Sequence, residues 1–191
     1  MEHRQMIMGY YNYTVILTYV GMLTGFAGIV YASEGSIRRA FLCLMAAGLC
    51  DMFDGTIAST KVRSPKERCF GIQIDSFSDL ICFGALPAMI VYSQNRGRIM
   101  VLAVCAIYLL CALIRLACFN VDEQERQQKS DGPRQVYYGL PVTVSALLLP
   151  AVHGAAGLFS WRSSAVLAAA LPVMAILFLL PFPLRKPKLT G

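Results

Sequence analysis

The sequence is short of charge. Only 15% of its 191 residues are Asp, Glu, Lys or Arg, and 57% are hydrophobic, whereas soluble domains average about 25% charged and about 45–50% apolar. That deficit excludes an ordinary water-facing surface. A disulfide framework and a zinc site are missing too. The seven cysteines (Cys43, Cys50, Cys69, Cys82, Cys105, Cys111 and Cys118) are odd in number, form no CxxC pair and mostly lie in apolar runs. Cysteine in such a setting is a small buried hydrophobe. The two histidines, His3 and His153, stand alone. There is no internal repeat and no low-complexity tract.

What the chain has instead is apolar length. Hydrophobic runs fall at about 12–32, 38–60, 70–93, 98–120, 140–159 and 163–183, each near the roughly 20 residues that cross a bilayer as a helix. This predicts an all-α membrane protein, with six transmembrane helices in one integral-membrane domain over residues 1–191. Val30-Tyr31-Ala32 has the form of a signal-peptidase site, but the run before it is long enough to span and reads as an uncleaved helix. The longest polar connection runs from Asn120 to Tyr138.

The basic residues set an orientation. With six spans, one side of the membrane carries Arg4, Lys61, Arg63, Lys66, Arg68, Arg126, Lys129, Arg134, Arg185, Lys186 and Lys188. The other carries Arg38, Arg39, Arg96, Arg98 and Arg162, and Arg115 lies within a span. The positive-inside rule places the richer side, and both termini, in the cytoplasm. A net charge of +6 then points to anionic headgroups and not to nucleic acid. In this topology the end of span 2, the start of span 3, the residues Arg115 and Asn120 closing span 4, and Gly139-Leu140-Pro141 opening span 5 share one depth near the cytoplasm.

At that depth sit four aspartates. Asp51 and Asp54 are i,i+3 near the end of the second run; Asp75 and Asp79 are i,i+4 near the start of the third. Each pair projects from one helix face. A carboxylate inside a membrane helix costs roughly 3 kcal/mol on insertion scales, so four of them need a compensating charge. Hard oxygen ligands suit Mg²⁺ or Mn²⁺ better than zinc. Two such ions can clamp a diphosphate. The small residues Gly55 and Ala58 leave room for a phosphate or nucleotide beside the helix. An ion-conducting path would need polar residues through the full membrane depth, and the outer halves of these runs are apolar.

The pattern Asp51-x2-Asp54-Gly55-x2-Ala58 followed by Gly71-x3-Asp75-x3-Asp79 resembles the signature of the CDP-alcohol phosphotransferases. The resemblance covers roughly residues 10–180. It implies a six-helix homodimeric membrane enzyme that binds two divalent cations in a cytoplasm-facing cavity and displaces CMP with a hydroxyl acceptor. It further implies that Asp51, Asp54 and Asp75 ligate metal, and that Asp79 ligates in part and serves as general base. The CDP moiety would contact Asp51, Gly55, Ala58, Ser59, Gly71 and Asp75. Ser59 stands where the family usually has arginine, and Lys61 or Arg63 is then the candidate basic partner of the phosphates.

Three finer segments, Asp75-Ser-Phe-Ser-Asp-Leu-Ile-Cys-Phe-Gly-Ala-Leu-Pro87, Arg115-Leu-Ala-Cys-Phe-Asn120 and Tyr138-Gly-Leu-Pro141, are similar to those of family members that use L-serine as acceptor and CDP-diacylglycerol as donor. In that reading Arg115 pairs with the serine carboxylate. Asn120 either caps a helix end or orients substrate. Members that use glycerol 3-phosphate or an inositol phosphate are the nearest alternatives. Their acceptors call for a denser basic cluster than the single intraspan Arg115. A divalent-cation transporter or an assembly scaffold is the alternative of a different class.

Overall fold

The computed structural model describes residues 15–58, 64–129, 136–181 and 183–185, with their side chains over 15–54, 64–126 and 139–181. Six helices occupy the six apolar runs: α1 Ile16–Ser33, α2 Ile37–Ala58, α3 Pro65–Ser93, α4 Ile99–Lys129, α5 Ser145–Leu158 and α6 Ser163–Leu179. By length and composition α1, α3 and the Ile99–Arg126 part of α4 are apolar enough to cross a membrane, and α5 and α6 are shorter apolar helices. Two three-residue strands, β1 Val136–Tyr138 and β2 Pro183–Arg185, pair antiparallel with Tyr137 opposite Leu184. The hydropathy pattern contained no hint of this pair.

The packing follows from spacing. The buried face of α1 is Thr18, Gly21, Gly25, Gly28 and Ala32, a stripe of small residues at alternating steps of three and four. Small residues let membrane helices approach closely, and α1 is wedged against both α2 and α3. A Cβ on Gly25 would lie 2.5 Å from the Cys82 sulfur and 3.2 Å from its Cα, so only glycine fits there. On α2 the buried residues Ala40, Leu44 and Ala47 lead in the same 4–3 rhythm to Asp51 and Asp54. The acids continue a packing seam; they do not interrupt a helix at random.

Helix α3 starts earlier than its apolar run because Ser64-Pro65-Lys66-Glu67 is a capping box. The Ser64 hydroxyl accepts from the Glu67 amide (3.2 Å), and the Glu67 carboxylate accepts from the Ser64 amide (2.9 Å); proline suits the first helical position. The helix is regular to Asp79, widens into a π-segment at Leu80–Ala85, and is regular again over Leu86–Ser93. Helix α4 extends past the end of the apolar run at Arg115 and Asn120. It runs on to Lys129, so both residues are interior. Asp122, Glu123, Glu125 and Arg126 end the apolar run and not the helix. They are tolerated in a helix, and Arg126 Nε donates to Glu123 one turn back (3.0 Å).

Candidate active site

The α2–α3 seam brings the carboxylates together. One oxygen from each of Asp51, Asp54 and Asp75 lies within 4.8 Å of the others. Asp75 is in hydrogen-bonding contact with Asp54, and Asp79 with Asp51. All four are partly buried. Two carboxyl groups at such range share either a proton or a cation. A gap of about 10 Å³ lies among the four acids, bordered also by Thr18, Cys50 and Ser78, and that is about the room of one water-sized sphere. An all-carboxylate donor set around a gap of this size fits a hard divalent cation.

On the other side the acids open into a cavity of about 350 Å³. Asp51, Asp75 and Asp79 form one wall; Arg115, Pro141 and Thr143 face them from α4 and the lead-in to α5. Leu116, Phe119 and Val142 complete an apolar lining. Arg115 is held in place from behind. Its Nε donates to the Leu140 carbonyl (3.2 Å), and a terminal nitrogen reaches the Gly139 carbonyl (3.5 Å). The turn that offers these carbonyls needs a glycine. Gly139 has φ +73°, and a Cβ there would lie 3.0 Å from the Leu180 carbonyl and 3.4 Å from Arg115 Nε. The Leu140 amide in turn donates to the Leu177 carbonyl (3.3 Å).

Thr18 and Thr143 were missed by sequence reasoning. The Thr18 hydroxyl donates to Asp54 Oδ2 (3.2 Å), and Ser78 donates to the Thr18 carbonyl (3.3 Å). The available signal was positional: Thr18 begins the small stripe of α1, and Thr143 follows Gly-Leu-Pro by one residue. Asn120 was placed with Arg115 from sequence, but the structure separates them. Its Oδ1 accepts from Ser76 (2.7 Å) and its Nδ2 approaches Gln73 (3.5 Å). These residues and Gln124 line a second cleft of about 270 Å³ between α3 and α4. A third, apolar groove of about 370 Å³ lies between α1 and α3, lined by Tyr19, Met22, Ile74 and Phe77, and it reaches Thr18 and Ser78 beside the acids. Gly71 lies in α3, one turn before Asp75. Gly55 and Ala58 fall in α2, but their surroundings, and the positions of Ser59, Lys61 and Arg63, lie outside the described residues.

Comparison with known proteins adds an independent observation. The profile of the CDP-alcohol phosphatidyltransferases matches residues 11–180. The chain is 30% identical over 162 residues to the archaetidylserine synthase of Methanothermobacter thermautotrophicus, covering 84% of this chain and 65% of that one. It is 31% identical over 142 residues to a CDP-diacylglycerol–serine O-phosphatidyltransferase of Helicobacter pylori, covering 73% of this chain and 56% of the relative. It is 26% identical over 141 residues to the Bacillus subtilis protein of the same name, covering 72% and 73%. The chain thus spans less than two thirds of the first two of these relatives.

Proposed function

The chain belongs to the CDP-alcohol phosphatidyltransferase family and is an integral membrane protein, and from that premise we propose that it moves the phosphatidyl group of CDP-diacylglycerol to the hydroxyl of L-serine, releasing CMP. The observation that carries this reading is the meeting of carboxylates from two helices at one end of a cavity whose opposite wall holds Arg115. The names of the relatives given above have serine or a serine lipid in common. Among the described residues Arg115 is the one guanidinium that lines the cavity, which suits an acceptor carrying one carboxylate better than one carrying a phosphate. The apolar groove that meets the acids at Thr18 and Ser78 suits a donor with a charged head and hydrocarbon tails.

In this reading Asp51, Asp54 and Asp75 hold two divalent cations, Mg²⁺ or Mn²⁺, with Asp79 contributing in part. When bound, the cations supply Lewis-acid stabilisation of charge on the diphosphate. Asp79 takes the proton from the serine hydroxyl, because that hydroxyl is a poor nucleophile at neutral pH without a base in reach. The serine oxygen forms its bond to the lipid-attached phosphorus as the bond from that phosphorus to the CMP oxygen breaks, and CMP departs. In-line displacement inverts that phosphorus. Arg115, anchored by the carbonyls of residues 139 and 140, pairs with the serine carboxylate. Asn120 braces the acid-bearing turn of α3 through Ser76. Gly55, Ala58, Ser59 and Gly71 border the CDP, with Lys61 or Arg63 near its phosphates. The cavity faces the cytoplasm, where the Lys/Arg excess lies, and the protein acts as a homodimer.

Labelled serine supplied to the purified protein in CDP-diacylglycerol micelles, with and without Mn²⁺ or Mg²⁺, tests the proposal. Serine-dependent release of CMP that requires a divalent ion supports it. Turnover with glycerol 3-phosphate or inositol in place of serine moves the chain to another branch of the family. Absence of turnover with all three overturns the enzymatic reading.

A further inference from the structure

Directly after Asp79 the backbone of α3 is altered, and the cause is visible in the sequence. Pro87 has no N–H to offer the carbonyl four residues back, and its ring crowds that carbonyl. The residue four back is Phe83. The helix responds by widening over Leu80–Ala85, and the Leu86 amide reaches five residues back to the Ile81 carbonyl. The Phe83 carbonyl finds a partner from another helix. The Tyr108 hydroxyl of α4 donates to it at 2.7 Å, and the Ser145 hydroxyl at the start of α5 makes a longer contact at 3.5 Å. The two hydroxyls also contact each other. Phe83 is 1% exposed, and Tyr108 and Ser145 are both fully buried.

The location of this junction is what gives it a role. Phe83 follows Asp79 of the carboxylate wall by four residues; Ser145 follows Pro141 of the facing wall by four residues and Thr143 by two; Tyr108 sits seven residues before Arg115 on the same helix. We propose that Tyr108, with Ser145, is a positioning residue for the reaction. Its hydroxyl clamps the π-segment of α3 to α4 and α5, and so sets the separation and rotation of the Asp79 and Arg115–Thr143 walls. The inference rests on the function proposed above for its catalytic consequence, and on geometry alone for the clamp. A buried hydroxyl joined to a proline-freed carbonyl is also a packing device, so the test must distinguish alignment from stability.

Tyr108→Phe removes the donor and keeps the ring. It is expected to lower kcat on the order of ten- to a hundredfold, the size of a misplacement near 1 Å, while the KM for CDP-diacylglycerol stays within about twofold. Ser145→Ala is expected to do the same to a smaller extent. Pro87→Ala restores an intrahelical donor for Phe83, so adding Tyr108→Phe to that background is expected to cost less than it does in the native chain. Hydrogen exchange in micelles is expected to quicken over residues 79–86 in Tyr108→Phe and to stay unchanged in α6. Native kcat in Tyr108→Phe, an equal loss in both backgrounds, or unchanged exchange over 79–86 would each overturn the clamp. If the native chain shows no serine-dependent turnover, the proposed function falls, and the exchange measurement by itself decides for or against the clamp.

Discussion

The two halves of the α2–α3 seam differ in packing as well as in chemistry: α2 lies close against Leu80–Ser93, whereas over Pro65–Asp79 the two backbones stand further apart and the acids fill the space between them. In the half away from the cavity, Ala40 and Leu44 on α2 and Leu86 and Ile90 on α3 are fully buried. In the other half, Asp51 and Asp54 on α2 and Asp75 and Asp79 on α3 occupy the same faces a few turns on. The dry half shows what the seam would be without the acids: an ordinary close-packed helix pair, held near by the glycines of α1. That packing anchors the seam, and the acidic half is held by α1, which packs on both α2 and the acid-bearing part of α3. The carboxylates are therefore held at ligand-sharing range by residues that take no part in chemistry. The cost of crowding four acids is offset in part by close packing elsewhere, and under the proposed function a divalent cation would offset the rest.

This contrast can be broken from either end. Asp79→Asn, at the acidic end, is expected to lower turnover by roughly 10²–10⁴-fold, the usual contribution of a general base, with CDP-diacylglycerol binding and thermal unfolding unchanged; CMP release and a lipid-binding titration measure the two. Leu44→Ala, at the dry end, is expected to do the opposite. It lowers stability by about 2–5 kcal/mol, seen as earlier thermal unfolding in detergent, and leaves kcat per folded molecule near native. A large loss of kcat there would mean that the two halves are not separable.

Smaller changes sharpen the comparison. Arg115→Lys keeps a positive charge but loses the fork that reaches the Leu140 and Gly139 carbonyls and that the proposed function pairs with the serine carboxylate. The serine KM is expected to rise about tenfold, and the donor KM much less; equal rises would remove Arg115 from the acceptor side. Thr18→Val removes the hydroxyl that donates to Asp54 at nearly constant volume. A loss near 1 kcal/mol is expected in Mn²⁺ affinity, read by titration, with little change in unfolding.

How much of this was legible in the sequence depends on the kind of signal. The six helices follow from apolar run length, and the acid pairs from i,i+3 and i,i+4 spacing. The convergence of Asp51, Asp54 and Asp75 follows once α2 and α3 are taken as neighbours. Helix ends were harder, because hydropathy reports where the membrane stops and not where hydrogen bonding does; hence α4 continues nine residues past Asn120. The separation of Asn120 from Arg115 has a related cause. Five residues separate it from Arg115, about 500° of helix rotation at 3.6 residues per turn, so the two point to different clefts. Thr18 and Thr143 carry no charge and belong to no spacing rule, and only the tertiary arrangement makes them neighbours of the acids. The π-segment was latent in Pro87, whose effect on the carbonyl of Phe83 is local and general. Its outlet through Tyr108 was not latent, because no local rule links residues 83 and 108.

The hold of α6 on the turn at Gly139 and Leu140 bears on how the protein comes to be made. Half of the cavity, the wall of carboxylates, is complete once the first three helices are side by side. The other half leans on Leu177 and Leu180, which leave the ribosome among the last of the residues described. A nascent chain with four helices inserted already carries its acids and its guanidinium, yet lacks the strut that sets them face to face. The two walls thus come to face each other only when α6 is in place, as a keystone closes an arch.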